Sequence, residues 1–265
     1  MPSRPYHRDM HFGVLGPLVV RGPLGSIDVV GGKERLLLAH LLAAAGRLVT
    51  VDELSDSMWG ERPPRAPGKA LQTYVLRLRN ALEPDRRGVP TVVVTEGSGY
   101  RLVVRDHEVD ALRFSQLALA GRSALDARRP AEAVVTLREA LELWRGPAYA
   151  GFEETPFGRS ERQRLEELRT SVVEDRWAAE VDAGGSAAAV PELERLVSEH
   201  PWRERAWAVL VLALCRSGRQ GEALGAFERA RRQLAEDLGV DPGSELRDLQ
   251  ARVLAHDPEL LRLPP

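Results

Sequence analysis

Lys69-Ala70-Leu71-Gln72-Thr73-Tyr74-Val75-Leu76-Arg77-Leu78-Arg79-Asn80-Ala81-Leu82 is the stretch that decides the reading of this 265-residue chain. At about 100° per residue, Leu71, Tyr74, Val75, Leu78 and Leu82 fall on one face, the apolar stripe by which an amphipathic helix packs. The opposite side carries Lys69, Gln72, Thr73, Leu76, Arg77, Arg79 and Asn80, with no acid among them. Lys and Arg neutralise phosphates or reach guanine edges, Gln and Asn pair with adenine, and Thr or Leu meets a thymine methyl. A basic face on an isolated helix is more often simply solvated, so the neighbouring sequence has to decide between the two readings.

Upstream, Met10 to Val20 and Ser26 to Val30 read as strands separated by the turn Gly22-Pro23-Leu24-Gly25. Lys33 to Ala45 predicts a helix closed by Gly46. Thr50, with Glu53 three residues on, forms a capping box that opens a second helix ending at Trp59-Gly60. The loop Arg62-Pro63-Pro64-Arg65 leads into the third helix from about Pro67. Downstream, Val92 to Thr95 and Tyr100 to Val104 flank Gly97-Ser98-Gly99 as a hairpin. Sheet, three helices and a glycine-rich hairpin, with an exposed Leu76 among polar neighbours on the third helix, describe a winged helix-turn-helix.

Beyond a boundary near Arg105 to Asp110 the pattern is helical throughout. Ala133, Val134, Leu137 and Ala140 align with Ala189, Val190, Leu193 and Leu196, and again with Ala223, Leu224, Phe227 and Ala230. The last two copies lie 34 residues apart, the tetratricopeptide period, and the first two lie 56 apart. An insertion containing Gly146 to Gly151 and Pro156-Phe157-Gly158, read as helix breakers, accounts for the excess. Each copy is a helical hairpin whose apolar face only a neighbour can cover, so a stacked array follows. The expected fold is therefore mainly α: a winged helix-turn-helix over 10–105, of mixed α and β structure, then an all-α tetratricopeptide-like array over 106–265. Charge divides at the same place. Residues 1–105 hold 15 Lys and Arg against 10 acids, the remainder 22 against 29, in a chain of net charge −2. A basic module joined to an acidic one hints at a nucleic-acid partner for the first.

Other classes find little support. A single cysteine, Cys215, excludes an internal disulfide and paired-cysteine zinc sites, and reads as a small core residue. The apolar run Phe12 to Val20 is broken by Gly13, Gly16 and Pro17 and lacks a cleavage site, so no secretory signal is expected. The longest apolar run, Leu36 to Ala45, is about half of the ~20 residues a membrane span needs. A cytoplasmic protein without membrane contact follows. Gly32-Lys33 and Gly68-Lys69 lack the rest of a phosphate loop, and Gly97-Ser98-Gly99 is too short for a nucleophile elbow. His7, His11, His40, His107, His200 and His256 are scattered without metal-ligand spacing, and Glu166 and Glu167 lie on charged helical faces. The expectation is a non-enzyme with no catalytic residue, no cofactor and no metal.

Residues 10 to 105 resemble the winged-helix output domain of bacterial response regulators, and the whole chain resembles the SARP family of Streptomyces antibiotic regulatory proteins. The marks are Phe12-Gly13-Val14-Leu15-Gly16, Lys33-Glu34, Val49-Thr50-Val51-Asp52-Glu53-Leu54, Trp59-Gly60, Leu71-Gln72-Thr73-Tyr74-Val75, Arg77-Leu78-Arg79 and Gly99-Tyr100. In the second half they are Val109-Asp110-Ala111, Ala140 to Gly146, Glu199-His200-Pro201, Arg216 to Gln220 and Leu238-Gly239-Val240-Asp241-Pro242, similar to the bacterial transcriptional activation domain. The resemblance implies a DNA face on Lys69, Thr73, Tyr74, Arg77 and Arg79, with Arg77 foremost for a base contact. Periodicity adds Gln72 and Asn80. Trp59 matches a phosphate-contacting tryptophan, and burial alone would equally account for it; core packing serves Tyr74 as well. Where many relatives carry a wing arginine that enters the minor groove, this chain has Glu96, which that groove would repel. Arg101, or Arg86 and Arg87, then supplies wing-side charge.

The function implied is a sequence-specific activator. Two protomers bind direct repeats in double-stranded promoter DNA and recruit RNA polymerase through its sigma and alpha subunits, switching on a specialised-metabolite (antibiotic) cluster. With fewer than a dozen residues before the first strand, no receiver domain is expected. The alternative is a tetratricopeptide adaptor whose winged domain binds protein, against which the acid-free face of the third helix argues.

Overall fold

The computed structural model describes residues 10–263; His7 lies outside them. The described residues form two compact units, one made of 10–116 and 142–169, the other of 117–141 and 170–263. Among the described residues there are ten α-helices and two three-stranded sheets.

The first unit opens with β1 (His11–Gly13), β2 (Val19–Gly22) and β3 (Gly25–Ser26), an antiparallel meander in the order β1-β2-β3, with Phe12 opposite Val20. The single strand expected over Met10 to Val20 is split, because Gly16-Pro17 turns the chain back and cannot extend a ladder. Of Ser26 to Val30 only Ser26 lies in a strand. Helix α1 (Gly32–Ala43) buries Leu37, Leu38, Leu41 and Leu42, and ends two residues before the expected Ala45. Ala45 and Gly46 both take positive φ, and that left-handed pair stops the helix.

Helix α2 (Val51–Trp59) starts as its local chemistry demands. The Thr50 hydroxyl accepts from the Glu53 amide at 3.2 Å, and the Thr50 amide donates to the Glu53 carboxylate at 2.8 Å. Helix α3 (Pro67–Leu82) has Pro67 in its first turn, where a missing N–H costs nothing. Leu71, Val75, Leu78 and Leu82 are buried, and α1, α2 and α3 pack on one another. The hairpin is β5 (Val93–Glu96) and β6 (Gly99–Leu102), joined by a strand the sequence did not announce, β4 (Val49–Thr50), in the order β4-β6-β5. Gly99 is required there: a Cβ would lie 2.1 Å from the Val49 carbonyl oxygen. The result is a winged helix-turn-helix.

The same unit contains the start of α4 (Asp110–Asp126) and the segment after α5 (Pro130–Glu142), running into α6 (Pro156–Asp182). Asp110 accepts from the amides of Val14 at 2.8 Å and Leu15 at 3.1 Å, and from Arg145 Nη2 at 2.9 Å. Arg145 also donates to the Pro17 carbonyl at 3.0 Å, and its own amide donates to Leu15 at 2.7 Å. Pro156-Phe157-Gly158 does not break a helix as expected. It opens α6, with the Thr155 hydroxyl accepting from the Gly158 amide at 3.1 Å.

The second unit is helical: the rest of α4, α5 and α6, then α7 (Ser186–Glu199), α8 (Glu204–Arg216), α9 (Gln220–Leu238), α10 (Ser244–Leu254) and a 3-10 turn at Pro258–Leu261. The three aligned segments fall on α5, α7 and α9. All their positions are buried except Leu224, which is half-buried. Cys215 is buried in this core, and burial pushes its thiol pKa up. Among the described residues no helix is long and apolar enough to cross a membrane.

Candidate nucleic-acid interface

Helix α3 holds its two faces apart as periodicity requires. Lys69, Gln72, Thr73, Leu76, Arg77 and Asn80 are exposed, and Leu76 keeps about half of its surface, at 51%. The first turn of α3 contains no acid and its N-cap, Ala66, offers no side-chain acceptor, so the amides and positive dipole end there are not neutralised from within. Thr73 donates its hydroxyl to the Lys69 carbonyl at 3.1 Å, leaving its methyl and oxygen lone pairs available. Asn80 accepts from Arg86 at 3.5 Å.

The predicted arginines are held in three different ways. Arg77 keeps an exposed side chain, at 64%, but its Nη1 lies 3.1 Å from Glu34 Oε1, a carboxylate only 7% exposed in the first turn of α1. The Tyr74 ring sits 5.9 Å from the Arg77 guanidinium carbon, so half-buried Tyr74 supports that side chain. Arg79 is directed to the wing: its Nε donates to the Val93 carbonyl and its Nη2 to the Thr95 hydroxyl, both at 2.8 Å, and it lies 5.8 Å from the Tyr100 ring centre. Partial burial lowers the Arg79 pKa from its ordinary value, though a guanidinium remains cationic. Arg101 pairs with Glu96 at 2.7 Å, both partly exposed, so the unexpected wing carboxylate has its own countercharge on the neighbouring strand.

Trp59, at the end of α2, is half-buried between Tyr74 (ring centres 6.3 Å apart) and the Lys33 ammonium, 5.9 Å above it. Lys33 also donates to the Met58 carbonyl. The site thus gathers Trp59, Tyr74 and Arg77 with two residues of α1 that had not been assigned to it, Lys33 and Glu34. The signal for Glu34 was its spacing: it stands three, four and seven residues before Leu37, Leu38 and Leu41, on the buried face of α1. Among the described residues no group of three or more His, Cys, Asp or Glu side chains is placed to hold a metal ion.

A winged helix-turn-helix that presents an acid-free helix face, followed by an all-helical array, is the build of a transcriptional regulator. The comparisons agree. Residues 29–102 match the family model "Transcriptional regulatory protein, C terminal", and residues 109–254 match "Bacterial transcriptional activator domain". The chain is 36% identical to the regulatory protein DnrI of Streptomyces peucetius, over 96% of this chain and 95% of DnrI. It is 41% identical to the regulatory protein AfsR of Streptomyces coelicolor, over 96% of this chain but only 25% of AfsR, so it spans about a quarter of that relative's length. The solved structure of Mycobacterium tuberculosis EmbR in complex with a low-affinity phosphopeptide superimposes with a TM-score of 0.86 at 35% identity, covering 94% of this chain and 66% of EmbR. The chain belongs to the SARP family of transcriptional regulators.

Proposed function

We propose that this protein is a sequence-specific transcriptional activator that lays α3 in the major groove of promoter DNA. The observation that carries the reading is the exposed, acid-free face of Lys69, Gln72, Thr73, Leu76, Arg77 and Asn80, flanked by the wing hairpin. In this reading Arg77 reads a base edge, Gln72 and Asn80 supply amides for adenine, and Thr73 and Leu76 meet thymine methyls. Lys69, Trp59 and Tyr74 contribute at the phosphate margin. Arg79 orients the wing, and Arg101, paired to Glu96, brings little net charge to the minor groove. No cofactor takes part.

Two protomers occupy direct repeats, and the acidic helical array over 106–265 engages RNA polymerase through its sigma and alpha subunits. The genes switched on make a specialised metabolite, and the protein works in the cytoplasm. The support for these finer points is family membership and the charge division between the halves.

The test is binding of the full chain to DNA from promoters of adjacent biosynthetic genes, against random duplex and across a salt range. A preference of ~10³-fold or more with a footprint on repeats is expected. Arg77→Ala should cost ~1–3 kcal/mol on the preferred DNA and blur specificity there. Weak binding without preference would refute the DNA reading and favour a protein-binding adaptor.

A further inference from the structure

We propose that Glu34 is a positioning residue that sets the base preference of the α3 face by holding the Arg77 guanidinium in a fixed orientation. The inference rests on the DNA-binding reading given above. An unrestrained arginine at an exposed helix position samples many rotamers, and it then serves as a mobile charge for phosphates rather than a reader of base edges. Arg77 is not unrestrained. Its Nη1 is taken by Glu34 Oε1 at 3.1 Å, and the guanidinium carbon lies 5.9 Å from the Tyr74 ring centre, within cation–π range. Nε and Nη2 have no protein acceptor among the described residues, which leaves planar donors for a bidentate contact such as guanine O6 and N7.

Glu34 can act as an anchor because it cannot follow Arg77 outward. It sits in the first turn of α1, where the helix dipole favours a carboxylate, and it folds back over Gly31. A Cβ at residue 31 would lie 2.2 Å from Glu34 Oε2, and Gly31 has φ +102°, so glycine both permits the turn and makes room for the carboxylate. With Arg77 as the ion-pair partner of a nearly buried acid, withdrawal of the arginine would strand that charge, which holds the pair together. Pairing also has an electrostatic consequence. Glu34 offsets the Arg77 charge, so Arg77 adds less to non-specific phosphate attraction than a free arginine would.

The experiment selects preferred duplexes from a random DNA pool with the full-length protein, then measures affinity for the selected and random duplexes across salt for wild type, Glu34→Gln, Arg77→Ala and the double variant. The base pair whose preference Arg77→Ala abolishes defines the Arg77 position. Glu34→Gln keeps the shape and removes the charge. It should lower the preference at that pair by about tenfold, retain or tighten random-duplex binding, and steepen the salt slope by up to about one. In the Arg77→Ala background it should change that preference no further. Glu34→Met, apolar and of similar length, repeats the measurement should the glutamine variant unfold. An unchanged preference profile in Glu34→Gln overturns the inference and leaves the DNA reading standing. Equal weakening on selected and random DNA with an unchanged slope also overturns it, because a residue that only supports the fold would behave so. Failure of the wild type to enrich any sequence overturns the DNA reading and this inference together.

Discussion

Asp110→Ala should destabilise the first compact unit by about 3–4 kcal/mol while sparing the α3 face. The carboxylate satisfies two amides, Val14 and Leu15, in residues that are themselves fully buried, so its loss strands two backbone donors at ~1–3 kcal/mol each. It also frees Arg145, whose side chain is 33% exposed against 13% for Asp110; water reaches that end, and the Arg145 share is accordingly small. Burial raises the Asp110 pKa from its ordinary value, opposed by the same three donors. The pair is therefore costly to break although its net gain over an apolar replacement is slight. A 3–4 kcal/mol loss corresponds to a fall of about 10 °C in the melting midpoint of a unit this size. The assay is thermal denaturation together with amide hydrogen exchange read at residues 12–18, where Val14 and Leu15 should lose protection. Arg145→Ala added to Asp110→Ala should cost much less than it does alone. A loss below ~1 kcal/mol with Val14 and Leu15 still protected, or full additivity with Arg145→Ala, would refute the reasoning.

His40 stacks on Phe157 at 4.5 Å with its Nδ1 buried and without a hydrogen-bond partner among the described residues, and burial lowers its pKa, partly offset by the Glu53 charge. The folded state then disfavours the proton, so its contribution is intact above the ordinary value of 6.5 and is lost as pH falls from there through the depressed folded value. Denaturant titrations from pH 8 to about pH 5 should show that loss in wild type and a flatter profile in His40→Gln, and equal slopes in the two proteins would count against it. Arg79→Ala should cost about 1–2 kcal/mol and raise hydrogen exchange across residues 93–101, since the bonds to Val93 and Thr95 tie the hairpin to α3. Unchanged exchange in that hairpin with a drop in DNA affinity would assign Arg79 to DNA instead.

What could be read from the sequence was what is local. The Thr50–Glu53 box lies within three residues, and the two faces of α3 follow from one period, so both are present in the structure as pattern requires. Strand β4 was not legible because it is two residues long and its partner, β6, begins 49 residues later; nothing local distinguishes Val49-Thr50 from a loop before a helix cap. The break at Gly16-Pro17 was visible in the residues, but strand alternation on either side of it is too short to reveal that the chain reverses there. For the site, the wheel placed Arg79 at the margin of the polar face, where a long side chain can turn either way. The free carbonyl of Val93 and the hydroxyl of Thr95 draw it to the hairpin. The Glu34 to Arg77 pair spans 43 residues and depends on how α1 and α3 pack, which no spacing rule contains.

The arginines of the site share one feature with a consequence for how such a face discriminates. Arg77 is tied to α1, Arg79 to β5 and Arg101 to Glu96, so each has a protein acceptor before any ligand arrives. Of the cations near α3, Arg62, Arg65, Lys69 and Arg87 are exposed and have no ion-pair partner among the described residues. Pre-pairing lowers raw attraction to phosphate, which is indifferent to sequence, and lowers the entropy lost when a side chain is fixed against a base. On the proposed DNA reading, affinity for arbitrary DNA should fall while the ratio between right and wrong sites is preserved. In a chain whose total charge is −2 and whose second half is acidic, the proposed DNA reading would then divide the work: a few unpaired cations would bring the helix to the backbone, a braced Arg77 would read a base edge, and Arg79 and Arg101 would hold the wing.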